Sequence, residues 1–201
     1  AAGSTFKPFA LVAHAEQGGS IYDVYDGPSP KTFSGMSRAV SNDFGVSWGR
    51  QNLVNATKNS INTVFVGLNQ EVGPATTKKV AIDLGIPEDT SGLDDSLLNV
   101  LGFAAPHNID LAHAYSTIAS GGKRTTPHIV REVQNSDGSK VFKTNVDSEQ
   151  IFDTKTMSTV LPALEAVTAS GGTAEAAAAL KQDTGGKTGT SEDQKTAQFV
   201  G

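Results

Sequence analysis

Ser4 and Lys7 stand three residues apart where a helix is expected to begin, so both side chains share one face and the amine can reach the hydroxyl. That pairing is a nucleophile with its base. A Ser-x-x-Lys spacing arises by chance about once in roughly 200 residues, and a second copy occurs at Ser120-Gly121-Gly122-Lys123. Order along the chain separates the two. The only Ser-x-Asn, Ser60-Ile61-Asn62, and the only Lys-Thr-Gly, Lys187-Thr188-Gly189, both follow Ser4, whereas Ser120 lies after Ser60.

Other candidates carry less. Taken alone, Ser60 and Asn62 would make a cap pair between two helices. Gly186-Lys187-Thr188 resembles the end of a phosphate loop, but that loop needs Gly at position 181, where Lys181 stands. His14, His107, His113 and His128 show no ligand spacing, so neither a metal nor another cofactor is expected. Asn55-Ala56-Thr57 matches a glycosylation sequon inside an expected helix and is read as chance. With 16 basic against 21 acidic residues, the net charge of −5 offers no basic surface for a nucleic acid. Cys is absent, which excludes thiol catalysis and disulfide frameworks. No run approaches the ~18 apolar residues of a membrane span. At 201 residues, 37% apolar with 21 glycines, the chain suits one globular domain.

The positioning elements follow from periodicity and punctuation. A helix over 4–17 is expected, with Pro8 in its first turn and Gly18-Gly19 closing it. Residues 20–47, rich in Gly, Ser, Pro and Asp, are expected to be irregular. Helices are expected over 52–58 and 62–72, with Ser60 at their junction, then from Pro74 to Leu84 and from Asp110 to Ser120. Asp137-Gly138 between two apolar runs signals a hairpin. Asp153 caps a further helix that Pro162 is expected to kink, and 176–179 is a strong helix former. Strands are expected over 186–190 and 196–200, joined by residues 191–195. The chain begins Ala1-Ala2-Gly3 without an initiator Met and is expected to be part of something longer.

The three motifs in this order are those of β-lactamases and penicillin-binding proteins. Gly3-Ser4-Thr5-Phe6-Lys7-Pro8-Phe9, Asn59-Ser60-Ile61-Asn62-Thr63, Gln70-Glu71-Val72-Gly73 and Gly186-Lys187-Thr188-Gly189-Thr190 resemble the transpeptidase domain of class A penicillin-binding proteins. Leu101-Gly102 and the run from Ala112 to Gly122 extend the resemblance over essentially the whole chain. It implies an α+β, transpeptidase-like fold in which a helical subdomain packs on an antiparallel sheet. It also implies that residues 1–201 are part of that domain, the sheet being completed by further segments or a second chain. Ser4 would attack the penultimate D-Ala carbonyl of a peptidoglycan stem peptide, or a β-lactam, to form an acyl-enzyme. Lys7 would be the neutral base, Lys187 the cation beside it, Ser60 a proton relay and Asn62 a holder of Lys7 or of the substrate amide. Thr188 and Thr190 would bind the terminal carboxylate, Gly189 would admit the ligand backbone, and the N–H groups of Ser4 and Thr190 would form the oxyanion hole. The expected location is the extracytoplasmic face of the bacterial membrane. Two alternatives are weighed against this: a β-lactamase using Asp95, in an Asp95-Ser96-Leu97-Leu98-Asn99 run that resembles Glu-x-x-Leu-Asn, and a non-catalytic β-lactam sensor.

Overall fold

Every residue from Lys7 to His14 is buried, so the first helix, α1 (Lys7–Glu16), cannot be a surface helix. A helix buried all round belongs at the centre of a bundle. In the computed structural model, which describes residues 1–190 and 196–201, α1 is packed by α3 (Asn62–Val72), α4 (Pro74–Leu84) and α6 (Thr154–Thr168). Phe6 and Phe9 meet edge to face at 4.7 Å at its start, and Leu11, Leu68, Leu84 and Met157 fill the space around it. Between α1 and α3 lies α2 (Leu53–Lys58), whose Asn52 side chain accepts from the Asn55 N–H as an N-cap. The remaining long helix, α5 (Asn108–Ala119), packs on α4 and α6. It starts two residues earlier than expected because His107 and Asp110 form the capping box.

Among the described residues the strands form four antiparallel pairs. These are β1 (Val24–Asp26) with β2 (Arg50–Asn52), β3 (Lys123–Thr125) with β6 (Ser148–Gln150), β4 (Glu132–Gln134) with β5 (Lys140–Lys143), and β7 (Lys187–Thr190) with β8 (Ala197–Val200). The β4–β5 hairpin turns at Asp137-Gly138 as its sequence requires. Residues 20–47 are less irregular than expected. They contain β1, an isolated bridge from Lys31 to Val40 and a single 3₁₀ turn, Asp43–Gly45. Three-residue strands carry too little alternation to be read from sequence, and the same holds for β3 and β6. Helix α6 runs on through Pro162, and the alanine-rich stretch is a 3₁₀ helix, Glu175–Leu180. The connection over 191–195 lies outside the described residues.

Candidate active site

The Ser4-Thr5-Phe6-Lys7 motif lies on a 3₁₀ turn, Gly3–Phe6, that feeds directly into α1. Backbone bonds fix this turn: the Ala2 and Gly3 N–H groups donate to Ala104 and Gly102 at 2.7 and 2.8 Å. The buried Tyr115 hydroxyl, its pKa pushed well up by burial, donates to the Thr5 carbonyl at 2.8 Å. Gly3 has φ +57, and a Cβ there would lie 2.7 Å from the Thr190 carbonyl oxygen. A Cβ on Gly189 would lie 2.6 Å from the Ala2 carbonyl oxygen. Strand β7 therefore reaches the Ser4 turn backbone to backbone, an approach that only glycine on both sides permits.

Below the turn, four side chains from three distant parts of the chain converge. Lys7 Nζ donates to the Ser60 carbonyl at 2.7 Å, to Ser60 Oγ at 3.1 Å and to Asn62 Oδ1 at 2.7 Å. Lys187 Nζ donates to the same Ser60 Oγ at 2.9 Å and to the Thr188 carbonyl at 3.1 Å. Ser60 thus sits between two amines, held by a left-handed backbone at φ 56 that costs a non-glycine residue about 1 kcal/mol or more. It does not serve as a cap. Ile61 is the N-cap of α3, which leaves Ser60 and Asn62 free to face the lysines.

Lys7 and Lys187 both have 0% exposure, and among the described residues no Asp or Glu is buried beside them. Burial, and then the Lys187 charge, hold the Lys7 amine well below the ordinary lysine range, with Asp43 opposing. Burial lowers Lys187 to about 7, again opposed by Asp43. The Lys7 ammonium also lies 5.5 Å from the centre of the Phe65 ring, a partial substitute for lost water.

One expectation is revised. The Lys7 amine is directed to Ser60 and Asn62, and among the described residues the Ser4 side chain makes no hydrogen bond. Ser4 is half-buried, on the 3₁₀ turn that leads into Lys7 at the start of α1. Thr188 is half-buried and donates to Thr173 Oγ1 at 2.8 Å, Gly189 is buried and Thr190 exposed. Among the described residues β8 is the one strand paired with β7, so the other edge of β7 pairs with no strand.

Ser120 lies apart from this cluster and bonds the Lys123 carbonyl. Asp95 is exposed, with no hydrogen bond to any of the four side chains. His14 pairs with Asp23 at 2.8 Å, and no metal-binding group of His and carboxylates occurs among the described residues. Sequence reading missed Asn42, a buried amide whose Oδ1 accepts from the Thr63 N–H at 2.9 Å and whose Nδ2 donates to the Gly27 and Val46 carbonyls. In a turn-rich segment such a residue carries no distinguishing signal.

The family description "Penicillin binding protein transpeptidase domain" matches residues 1–198. The chain belongs to that family. Penicillin-binding protein 1A of Mycolicibacterium smegmatis is 34% identical over 154 residues, covering 70% of this chain and 19% of the relative. The penicillin-binding protein 1A structure from Haemophilus influenzae superposes with a TM-score of 0.87 at 21% identity, over 98% of this chain and 35% of that one. The PonA1 protein from Mycobacterium tuberculosis, solved in complex with penicillin V, gives 0.78 at 29% identity, over 96% and 54%. The α+β architecture and the class A resemblance of the motifs are thereby borne out, on a chain that spans about a fifth of its curated relative. No helix is long and apolar enough to cross a membrane among the described residues.

Proposed function

We propose that this penicillin-binding protein transpeptidase domain cross-links peptidoglycan stem peptides through an acyl-enzyme on Ser4, and that β-lactams acylate the same hydroxyl. The meeting of Lys7 and Lys187 on Ser60, with Asn62 holding Lys7, carries the reading.

Hydrogen counting on Lys7 gives the order of proton movement. A neutral amine has two hydrogens and one lone pair. The hydrogens go to the Ser60 carbonyl and Asn62 Oδ1, which can only accept, so the third direction, in which the ammonium donates to Ser60 Oγ, becomes a lone pair for a hydroxyl. As the Ser4 Oγ bonds to the penultimate D-Ala carbonyl carbon, its proton passes to Lys7. The oxyanion is received by the N–H of Ser4, in a first turn where intrahelical bonding leaves donors free, and by the N–H of Thr190 on the open edge of β7. Collapse breaks the carbon–nitrogen bond, the departing D-Ala amine takes a proton from Ser60 Oγ, and Ser60 is reprotonated from the lysines that touch it. The amine of a second stem peptide then attacks the acyl-Ser4 carbonyl carbon, its proton passing through Ser60 to Lys7, and the carbon–Oγ bond breaks as Ser4 Oγ takes a proton back from Lys7.

Thr188, Thr190 and Lys187 would receive the terminal carboxylate, and Gly189 lets the substrate backbone lie along β7. PonA1 in complex with penicillin V supports the β-lactam part of the reading. Asp95, exposed and unconnected to the cluster, lends the hydrolytic alternative nothing. Peptidoglycan places the domain on the extracytoplasmic side of the bacterial membrane. The test is a stem pentapeptide ending in D-Ala-D-Ala, incubated with an acceptor amine and resolved by mass. A cross-linked product that disappears in Ser4→Ala is expected. Release of D-Ala without cross-linking would reassign the domain as a carboxypeptidase, and no release would overturn the reading.

A further inference from the structure

Asn62 contacts Lys7 with its oxygen, and that orientation has a cause outside the motif. Its Nδ2 donates to the Ser41 carbonyl at 3.0 Å and to Asp43 Oδ1 at 3.3 Å. With two acceptors on the nitrogen side, a reversed amide would set its NH₂ against the lysine amine and lose both bonds.

The turn that carries these acceptors is itself fixed. Asn42 is 4% exposed, and its amide uses the Thr63 N–H and hydroxyl, the Gly27 carbonyl and the Val46 carbonyl, while its own N–H donates to Ser29 Oγ. Thr63 follows Asn62, so the turn is clamped to the helix residue adjoining the one it orients. Phe44 holds φ 55 in the same turn.

We propose that Asp43 is a positioning residue of the site: with the Ser41 carbonyl it orients the Asn62 amide toward Lys7, and its carboxylate is the anion facing both buried lysines. This rests on the acyl-enzyme reading above. The groups that face Lys7 are Lys187 from β7, Asp43 from the turn, and the neutral Ser60 and Asn62 from the start of α3. Asp43 is likewise the anion acting on Lys187. Its negative charge favours the protonated form of each lysine, so removing it makes both lose their protons at lower pH. Acylation needs Lys7 neutral, which sets the acid limb of the pH–rate profile, and Lys187 charged, which sets the basic limb. Both limbs therefore move the same way.

Asp43→Asn keeps an acceptor for Asn62 and deletes only the charge. Acylation by a fluorescent penicillin, measured across pH, should shift to acid by about half a unit, giving labelling about threefold faster on the acid limb and about threefold slower on the basic limb, the size expected of an exposed charge. Asp43→Glu should restore the limbs of the unmodified protein. A second measurement needs no variant: at roughly 1 M salt, where screening acts within about 3 Å, the limbs of the unmodified protein should move toward those of Asp43→Asn. Limbs that stay in place in Asp43→Asn or in salt, at whatever amplitude, overturn the proposal, since a structural role alone lowers the rate without moving the profile. Absence of labelling in the unmodified protein would instead overturn the acyl-enzyme reading beneath it.

Discussion

Helix α3 carries a buried polar cluster toward each end, and the two are built on opposite electrostatic terms. In its C-terminal half Asn69 Nδ2 donates to the Leu97 carbonyl and Asn99 Oδ1, and Asn99 Nδ2 donates to the Pro74 and Asp94 carbonyls. Thr77 adds a bond to Asn69 Oδ1 at 2.6 Å. Every amide hydrogen in this cluster has an acceptor, every member is neutral, and the result ties α3, α4 and the 3₁₀ turn Asn99–Leu101 together. At the N-terminal end, Lys7 and Lys187 meet on one hydroxyl, and among the described residues no buried carboxylate lies between them. Satisfied neutral groups add stability, whereas two desolvated amines subtract from it and gain reactivity. The molecule thus holds its scaffold at one end of the helix and stores strain at the other.

Lys187→Met should break the comparison most visibly. Acylation should fall by about 10²-fold or more, as expected when a group in the proton path is removed. Stability should move the other way, rising by about 2–4 kcal/mol at pH 6 in urea unfolding, because a buried cation is replaced by an apolar chain of similar volume. A loss of both activity and stability would show that Lys187 is structural.

Asn69→Ala sharpens the other half. It leaves the Thr77 hydroxyl and Asn99 Oδ1 without their buried partner and should cost about 2–3 kcal/mol. Acylation by the folded protein should stay within about threefold, because the cluster touches none of the four converging side chains.

The pH dependence of stability is the most gradual of these effects. Lys187 is at about 7 in the fold against an ordinary 10.5, so unfolding takes up a proton between those values. Its cost is fully present below pH 7 and is relieved as pH rises, which gives a slope of about 1 kcal/mol per pH unit between 8 and 10. Lys7, lowered in the same direction, adds to it. The slope measured by urea unfolding should shrink in Lys187→Met and persist in Asn69→Ala.

The residues of the candidate site were legible in the sequence because their types and order carry information that survives without contacts: Ser4 and Lys7, then Ser60 and Asn62, then Lys187 to Thr190, of which the fold brings Lys7, Ser60, Asn62 and Lys187 together. Helices α1, α3, α4 and α6 were legible for a different reason, their periodicity and their Pro, Gly and Asp punctuation. The direction of the Lys7 amine was not, because it depends on Ser60, 53 residues away, and on Lys187, 127 residues beyond that. Nor were Asn42, which acts only through its fit against Thr63, and the left-handed backbone of Ser60, which packing imposes. Strands β1, β2, β3 and β6 were hidden by their length of three residues.

The identity of the nucleophile is tested most directly by intact mass measurement after exposure to benzylpenicillin, followed by mapping of the modified peptide. A stable adduct of the full mass of the drug on the peptide containing Ser4, absent from a folded Ser4→Ala variant, is predicted. An adduct that survives in Ser4→Ala, maps to another residue or is rapidly hydrolysed, or the absence of any adduct, would contradict a slowly deacylating Ser4 acyl-enzyme.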